Sequence, residues 1–126
     1  MLNLSPVLEN IKEDGKVWRT CGIWSKNRWE WNTTFLAFMA CRSTAIGFYD
    51  AMAENSIEYI TDLAELATIF MTPGYLKTVI EMRKKNKIPT LKTVVLFDPP
   101  STEDEVALGK LGIRCLSFEE VMYQGR

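Results

Sequence analysis

The chain has 126 residues, of which 47% are hydrophobic and 25% charged, and its formal net charge is −1. This size and composition are typical of one globular domain with its own core. The near-neutral charge gives no electrostatic reason to expect a nucleic acid partner. No apolar run reaches the ~20 residues of a transmembrane segment. The lack of histidine excludes a Cys/His zinc site and any Ser-His or Cys-His catalytic couple.

The three cysteines, Cys21, Cys41 and Cys115, are odd in number and far apart in the sequence. This usage indicates reduced thiols in or near the core. The segment from Met1 to Ser5 lacks the charged and apolar regions of a signal peptide. We therefore expect an intracellular protein that is not secreted, either cytoplasmic or organellar, with the mitochondrion among the options.

A single α/β domain is predicted over residues 1–126, with residues 1–19 as a lead-in helix and loop. The lead-in helix is expected from Ser5-Pro6 to about Asp14, because proline suits the first helical position. Beyond it, β-branched and aromatic runs predict strands, and longer amphipathic or apolar segments predict helices. The strands are expected at 20–25, 44–49, 67–71, 93–97 and 113–116, and the helices at 28–42, 55–66, 72–85, 101–112 and 117–121. The alternation predicts about five mainly parallel strands with helices on both faces.

Local signals place the helix ends. Asn27, followed by Glu30 three residues later, predicts a capping box for the first helix after the lead-in. Thr72 is expected to cap the helix that begins at Pro73. Ser101 or Thr102 is expected to cap the next helix, which has acidic residues in its first turn and ends at Gly112. The segment from Trp31 to Met39 is apolar on most of its circumference, which predicts a helix buried between layers.

Few residues are candidates for chemistry. Asp50 and Asp98 each follow a strand, at the edge where open α/β sheets bind ligands, and could hold a metal or a ribose. Aspartate is also a common turn residue, which is the favoured interpretation. Glu30 could pair with Asp50, although capping already explains it.

Two further features of the opening unit bear on binding. The turn after the first strand, Ser25-Lys26-Asn27-Arg28, has no glycine, so it is not a dinucleotide fingerprint or a Walker loop. Trp24, Trp29 and Trp31 could line an apolar ligand tunnel, although core packing is the favoured interpretation. We therefore assign no catalytic, cofactor-binding or metal-binding residue.

The order of several segments resembles the adenylate-forming (AMP-binding) enzymes, and within them the long-chain fatty acyl-CoA synthetases. The similarity extends from about Gly22 to Gly125. It is carried by Gly-Ile-Trp-Ser-Lys-Asn-Arg-Trp-Glu-Trp at 22–31, Phe-Tyr-Asp at 48–50, Ser-Ile-Glu-Tyr-Ile at 56–60, Ala-Glu-Leu at 64–66, Pro-Thr-Leu-Lys-Thr-Val-Val at 89–95 and Leu-Ser-Phe-Glu-Glu-Val at 116–121. Gly47 and Phe48 depart from the family pattern, which has proline and an aliphatic residue there, and are expected to loosen the strand end.

The resemblance implies the first α/β subdomain, in the N-terminal portion, of a longer ligase that activates a fatty acid with ATP and passes it to coenzyme A. The phosphate loop, the magnesium-binding segment and the catalytic lysine of such a ligase would lie beyond Arg126. ATP, Mg²⁺ and coenzyme A would therefore belong to the full family and not to this chain, and a fatty acid would bind only if the rest were present.

Two functions remain open on this basis. In the first, the chain is a fragment or truncated homologue of the synthetase and is inactive alone. In the second, it is a non-catalytic structural or assembly subunit of a larger complex that reuses the ligase fold. Both lead us to expect another protein chain over apolar surface that the missing ligase portion would cover.

Overall fold

The protein is described by a computed structural model, which covers residues 11–13, 16–18 and 20–124. Its main element is a five-stranded parallel sheet in the order β4-β3-β5-β6-β7. The strands are β3 (Thr20–Trp24), β4 (Thr44–Phe48), β5 (Thr68–Met71), β6 (Thr93–Leu96) and β7 (Arg114–Ser117). The helices are α1 (Trp29–Ala40), α2 (Glu54–Leu63), α3 (Leu76–Lys84), α4 (Thr102–Lys110) and α5 (Phe118–Gln124), and a 3₁₀ turn at Pro73–Tyr75 precedes α3. The predicted α/β class and parallel sheet are confirmed.

Helices cover both faces of the sheet, as expected. One core cluster joins β3, β5 and β6 to α2, α3 and α4 through residues such as Ile57, Val79 and Leu108. The other joins the opposite face to α1 and α5 through Phe38, Phe118 and others. The central strands are therefore apolar on both sides, which explains their continuous hydrophobic runs.

The lead-in differs from the prediction. Its first described residues form a two-stranded antiparallel sheet of β1 (Ile11–Glu13) and β2 (Lys16–Trp18), with Glu13 opposite Lys16. A helix continuing to Asp14 is therefore wrong at 11–13, and the rest of that helix lies outside the described residues. The β-branched and aromatic residues Ile11, Val17 and Trp18 favour strands, and this preference outweighs the helix-start signal of Pro6.

Helix α1 also differs from the prediction, because it is not buried between layers. Phe38 is fully buried against Phe70, but Trp29, Leu36 and Met39 are 61%, 63% and 62% exposed. The helix packs on the sheet with one side only, and the outer side carries apolar residues that the described part of the chain does not cover.

Gly22 on β3 allows Phe48 to sit over the sheet. A Cβ atom at Gly22 would lie 2.7 Å from the Phe48 ring and 3.2 Å from Ile69. Phe48 is buried and its strand stays paired with β3 to the last residue, Trp24 opposite Phe48. The expected loosening at Gly47 and Phe48 is therefore wrong, because the missing side chain at Gly22 accommodates the larger ring.

Candidate functional site

Successive strands are added on opposite sides of β3, and this change of side creates a crevice at the carboxyl edge of the sheet. β3 connects to β4 on one side through α1, whereas all later connections progress to the other side through β5. Open α/β sheets bind ligands at such a switch point. The crevice here has a volume of about 360 Å³ and is lined by Ser25, Lys26, Asn27, Arg28, Asp50, Thr72, Gly74 and Tyr75. It is the candidate functional site.

Two hydroxyl groups join the loops that follow β3 and β5. The Thr72 hydroxyl donates to Ser25 Oγ at 2.9 Å, and the Ser25 hydroxyl donates to the carbonyl of Lys26 at 2.8 Å. Thr72 does precede the 3₁₀ turn, but its side chain does not cap it. The expected capping bond is replaced by this loop-to-loop contact.

Asp50 forms the outer wall of the crevice. The Tyr75 hydroxyl donates to its carboxylate, and Lys26 Nζ lies 3.5 Å from Asp50 Oδ2. The Tyr75 hydrogen bond, with help from Lys26, lowers the pKa of Asp50, while burial and Asp50 raise the pKa of Tyr75 to about 12. Asp50 is thus an ionised carboxylate that already has two partners, so a ligand would have to compete with them.

Arg28 is the centre of the strongest polar cluster at this edge. It donates two hydrogen bonds to Asp98, at 3.0 and 2.9 Å, and a third to Glu30. Its guanidinium carbon also lies 5.7 Å from the centre of the Phe97 ring. Such a bidentate pair is strong and directional, and it ties the loop after β3 to the end of β6.

The two carboxylates of this cluster have pKa values below their usual range. The hydrogen bonds from Arg28 are the main cause for Glu30 and for Asp98, and burial opposes the effect at both. The same carboxylates hold the pKa of Arg28 above its usual range. Glu30 is only 5% exposed, so it depends on Arg28 to remain charged in the protein interior.

This cluster corrects two predictions. Arg28, and not Asn27, occupies the capping position of α1, and no side chain caps the helix there. Glu30 is joined through Arg28 to Asp98, and not to Asp50. Sequence reasoning missed Arg28 because its main partner is 70 residues away. The available signal was a cation, Arg28, after the strand expected at 20–25 and a carboxylate, Asp98, after the strand expected at 93–97, since the carboxyl ends of parallel strands lie at one edge of a sheet.

The three tryptophans do not form a tunnel. Trp24 is buried, stacks on Tyr75 with ring centres 4.7 Å apart, and donates from Nε1 to the Tyr49 carbonyl at 3.0 Å. Trp31 stacks on Phe35, on the other face of the sheet. Trp29 contacts Phe118 edge-on and is mostly exposed. Core packing is confirmed for Trp24 and in part for Trp31.

Two of the three thiols, those of Cys21 and Cys115, are poorly suited to nucleophilic chemistry. Burial raises the pKa of Cys21 to about 12 and that of Cys115 to about 11, so both are protonated at neutral pH. Cys21 is fully buried as predicted, whereas Cys41 and Cys115 are half-buried. Within residues 20–123, no three potential metal ligands among the acidic and cysteine side chains come together. No helix of the described chain is long and apolar enough to cross a membrane.

Sequence comparisons identify relatives of one kind. No model of a known protein family matches the chain. Fatty acyl-CoA synthetase B of Dictyostelium discoideum is 30% identical over 105 residues, and long-chain-fatty-acid–CoA ligase 5 of Rattus norvegicus is 33% identical over 107 residues, each alignment covering 83% of this chain. The peroxisomal acyl-CoA ligase 891 of Penicillium roqueforti is 30% identical over 73% of the chain. The chain spans only 15%, 16% and 13% of these three proteins.

Solved structures show the same fold. The didomain of a carboxylic acid reductase from Segniliparus rugosus, in complex with AMP, superposes with a TM-score of 0.68 at 12% identity, over 84% of this chain and 16% of that one. The adenylation domain of a carboxylate reductase from Mycobacterium chelonae superposes with a TM-score of 0.69 at 9% identity. The match covers 94% of this chain and 25% of that one. At these identities the likeness shows the fold alone, which is that of an adenylation domain.

The sequence relatives named above are fatty acyl-CoA and acyl-CoA ligases, and the chain matches only a fragment of each. The family resemblance of the sequence is thereby confirmed.

Proposed function

We propose that the chain is a fragment or truncated homologue of a long-chain fatty acyl-CoA synthetase, which supplies scaffold to the ligase fold and is inactive alone. The observation that carries the proposal is the state of the carboxyl edge. There Arg28 pairs with Glu30 and Asp98, and Asp50 separately pairs with Tyr75. A ligand-binding edge would keep such groups available for a substrate.

The arrangement around α1 opposes phosphate binding. The start of a helix attracts anions, but here the carboxylates of Glu30 and Asp98 already lie beside Arg28 at that start. A phosphate would meet two negative charges and a cation that both carboxylates share. We infer that ATP, Mg²⁺ and coenzyme A act only in a full ligase, and that this chain by itself holds none of them.

The test is fatty-acid-dependent exchange of pyrophosphate into ATP by the purified chain. We expect no exchange above the blank for any chain length of fatty acid, whereas a full-length relative assayed in parallel is active. Exchange that depends on added fatty acid, and that survives further purification, would overturn the proposal.

A second candidate function rests on the outer side of α1. Only Glu30 is charged on this helix and it is buried, while Trp29, Leu36 and Met39 face solvent. Covering each such side chain stabilises a complex by roughly 1.5–3 kcal/mol. This exposed face supports a non-catalytic subunit of a larger complex, in which another protein chain covers α1.

The native mass of the chain, purified from its source with whatever accompanies it, tests this second candidate. We expect a complex that contains a second polypeptide and protects Trp29 from quenching by acrylamide. A monomer whose α1 face binds no partner and no hydrophobic dye would exclude it, and it would leave the first proposal unaffected because that proposal depends on activity.

A further inference from the structure

The edge strand β4 has one side that the described part of the chain leaves open. β4 is the outermost strand of its sheet, and among the described strands it pairs only with β3. Proteins commonly protect such an edge with a charged side chain, a proline or a bulge. The other edge strand, β7, begins with the exposed charge of Arg114, whereas β4 reads Thr-Ala-Ile-Gly-Phe and pairs in continuous register. β4 is therefore open to pairing with a further strand.

The flank of α1 that lies towards this edge is apolar. α1 packs on β3 and β4, and Trp29 contacts Phe118 of α5, which marks the side of α1 that faces the centre of the sheet. At 3.6 residues per turn, Trp31 and Phe35 lie on the opposite side, where their rings stack. Phe35 is 38% exposed, and Met39, one turn further on, is mostly exposed. The open side of β4 and this flank of α1 form one surface, the β4 edge face.

The spacing of the strands suits a second copy of the chain at this face. A two-fold axis perpendicular to the sheet would pair β4 antiparallel with β4 of the other copy and place both α1 helices on the same side. Strands lie about 4.8 Å apart, so a helix over the β3–β4 pair is about 5 Å from the seam and the two helices are about 10 Å apart. Packed helices lie roughly 8–10 Å apart, so each α1 would cover the apolar flank of the other.

The charges on either side of β4 are complementary in the same arrangement. Arg42 and Asp50 each lie four residues from Ile46, the middle residue of β4, in opposite directions. Antiparallel pairing centred on Ile46 therefore brings Arg42 of each copy opposite Asp50 of the other. Arg42 forms none of the ion pairs among the described residues, and the Asp50 side chain is 54% exposed beside Lys26. Parallel pairing would bring like charges together, which is unfavourable.

The area of the β4 edge face is sufficient for a specific dimer. A large side chain buries roughly 150–250 Å². The exposed fractions of Phe35, Met39 and Tyr49, which are 38%, 62% and 78%, therefore give roughly 350 Å² per copy. The strand edge and the half-buried Trp31 and Ile46 add to this area. Two copies then bury about 1,000 Å² in total, which is the size that a specific interface needs.

We propose that the β4 edge face binds a second copy of this chain, with the two β4 strands antiparallel and the two α1 helices side by side. Trp29, on the other flank of α1, stays outside this interface. The inference therefore goes beyond both candidate functions and is compatible with each of them.

Sedimentation equilibrium of the purified full chain tests the proposal. We expect a reversible equilibrium between monomer and dimer without larger species, because each copy has one β4 edge face. Phe35→Glu should weaken dimerisation about tenfold or more, since it places a charge from each copy inside the seam. Tyr59→Glu, at an exposed aromatic position of α2, is the control and should leave dimerisation unchanged.

Two charge reversals test the antiparallel orientation. Arg42→Asp alone and Asp50→Arg alone should each weaken dimerisation about tenfold, because like charges then lie opposite each other at both ends of the paired strands. An equimolar mixture of the two variants should form a heterodimer, because each end then joins a positive to a negative charge. Circular dichroism verifies that the variants fold. A wild-type chain that stays monomeric, association into open-ended species, an unchanged Phe35→Glu dimer, or a mixture that associates no better than its components would each overturn the proposal.

Discussion

Replacing Arg28 by methionine should be the most informative single change in this protein. Methionine keeps most of the apolar stem but removes the guanidinium that serves Glu30 and Asp98. Removing one partner of a fully buried ion pair costs about 3–5 kcal/mol. Glu30 is almost fully buried, but the Asp98 side chain is 49% exposed and regains water. We therefore expect a loss of about 2–3 kcal/mol.

Urea denaturation followed by tryptophan fluorescence and circular dichroism measures this loss. A loss of 2–3 kcal/mol is a large part of the ~5–15 kcal/mol that stabilises a typical domain. It should lower the melting temperature by about 6–12 °C in a chain of this size. The slope of the urea transition should stay unchanged, because the folded state keeps its compactness.

Two further variants make the reasoning testable. Lys26→Met removes a cation that is 77% exposed and 3.5 Å from Asp50, so its cost should be within about 0.5 kcal/mol. Adding Glu30→Gln to the Arg28 variant should recover part of the lost stability, because the buried charge is then gone. The explanation is refuted if Arg28→Met costs no more than Lys26→Met, or if Glu30→Gln recovers nothing.

Three more outcomes follow from the structure. The pKa values of Glu30 and Asp98 are lowered in the folded state, so the stability that they contribute is present above about pH 4 and should be lost as the pH falls further. Urea midpoints measured from pH 6 to 2.5 would show this loss. The Arg28→Met variant should show a weaker dependence of the midpoint on pH. Gly22→Ala should lower the free energy of unfolding in urea by about 1–3 kcal/mol, because its Cβ would lie 2.7 Å from the Phe48 ring. Gly47→Ala is the control, since its Cβ meets nothing within 4 Å and should be tolerated. Equal losses of stability in the two variants would contradict this explanation. Leu36→Glu should reduce dye binding and self-association in light scattering with little change in stability, because Leu36 is 63% exposed; unchanged dye binding would show that α1 is not the apolar surface concerned.

The local patterns in the sequence predicted most of the main sheet. The β-branched run at Thr93–Leu96 became a central strand, and Ser101 caps α4 by accepting from the Asp104 amide at 3.2 Å. Gly112 ends α4 with a φ of 75°, as its position suggested. These signals are reliable because each depends on residues only a few positions apart.

The two errors that concern α1 depend on segments distant in the sequence. The capping-box pattern of Asn27 and Glu30 was overridden, since the bidentate bond between Arg28 and Asp98 is stronger than a local cap. The apolar circumference of α1 predicted burial, but the pattern does not reveal whether a second layer is present to provide it. Here the described chain covers only the sheet side of the helix.

The sequence by itself determined the alternation of strands and helices, the parallel sheet and the resemblance to fatty acyl-CoA ligases. Periodicity, turn residues and segment order are properties of the chain as written. Only the tertiary structure decided which carboxylates Arg28 binds, that Gly22 makes room for Phe48, and that Trp24 stacks on Tyr75. Those relations depend on strand order and helix direction, which bring together side chains that no local pattern connects.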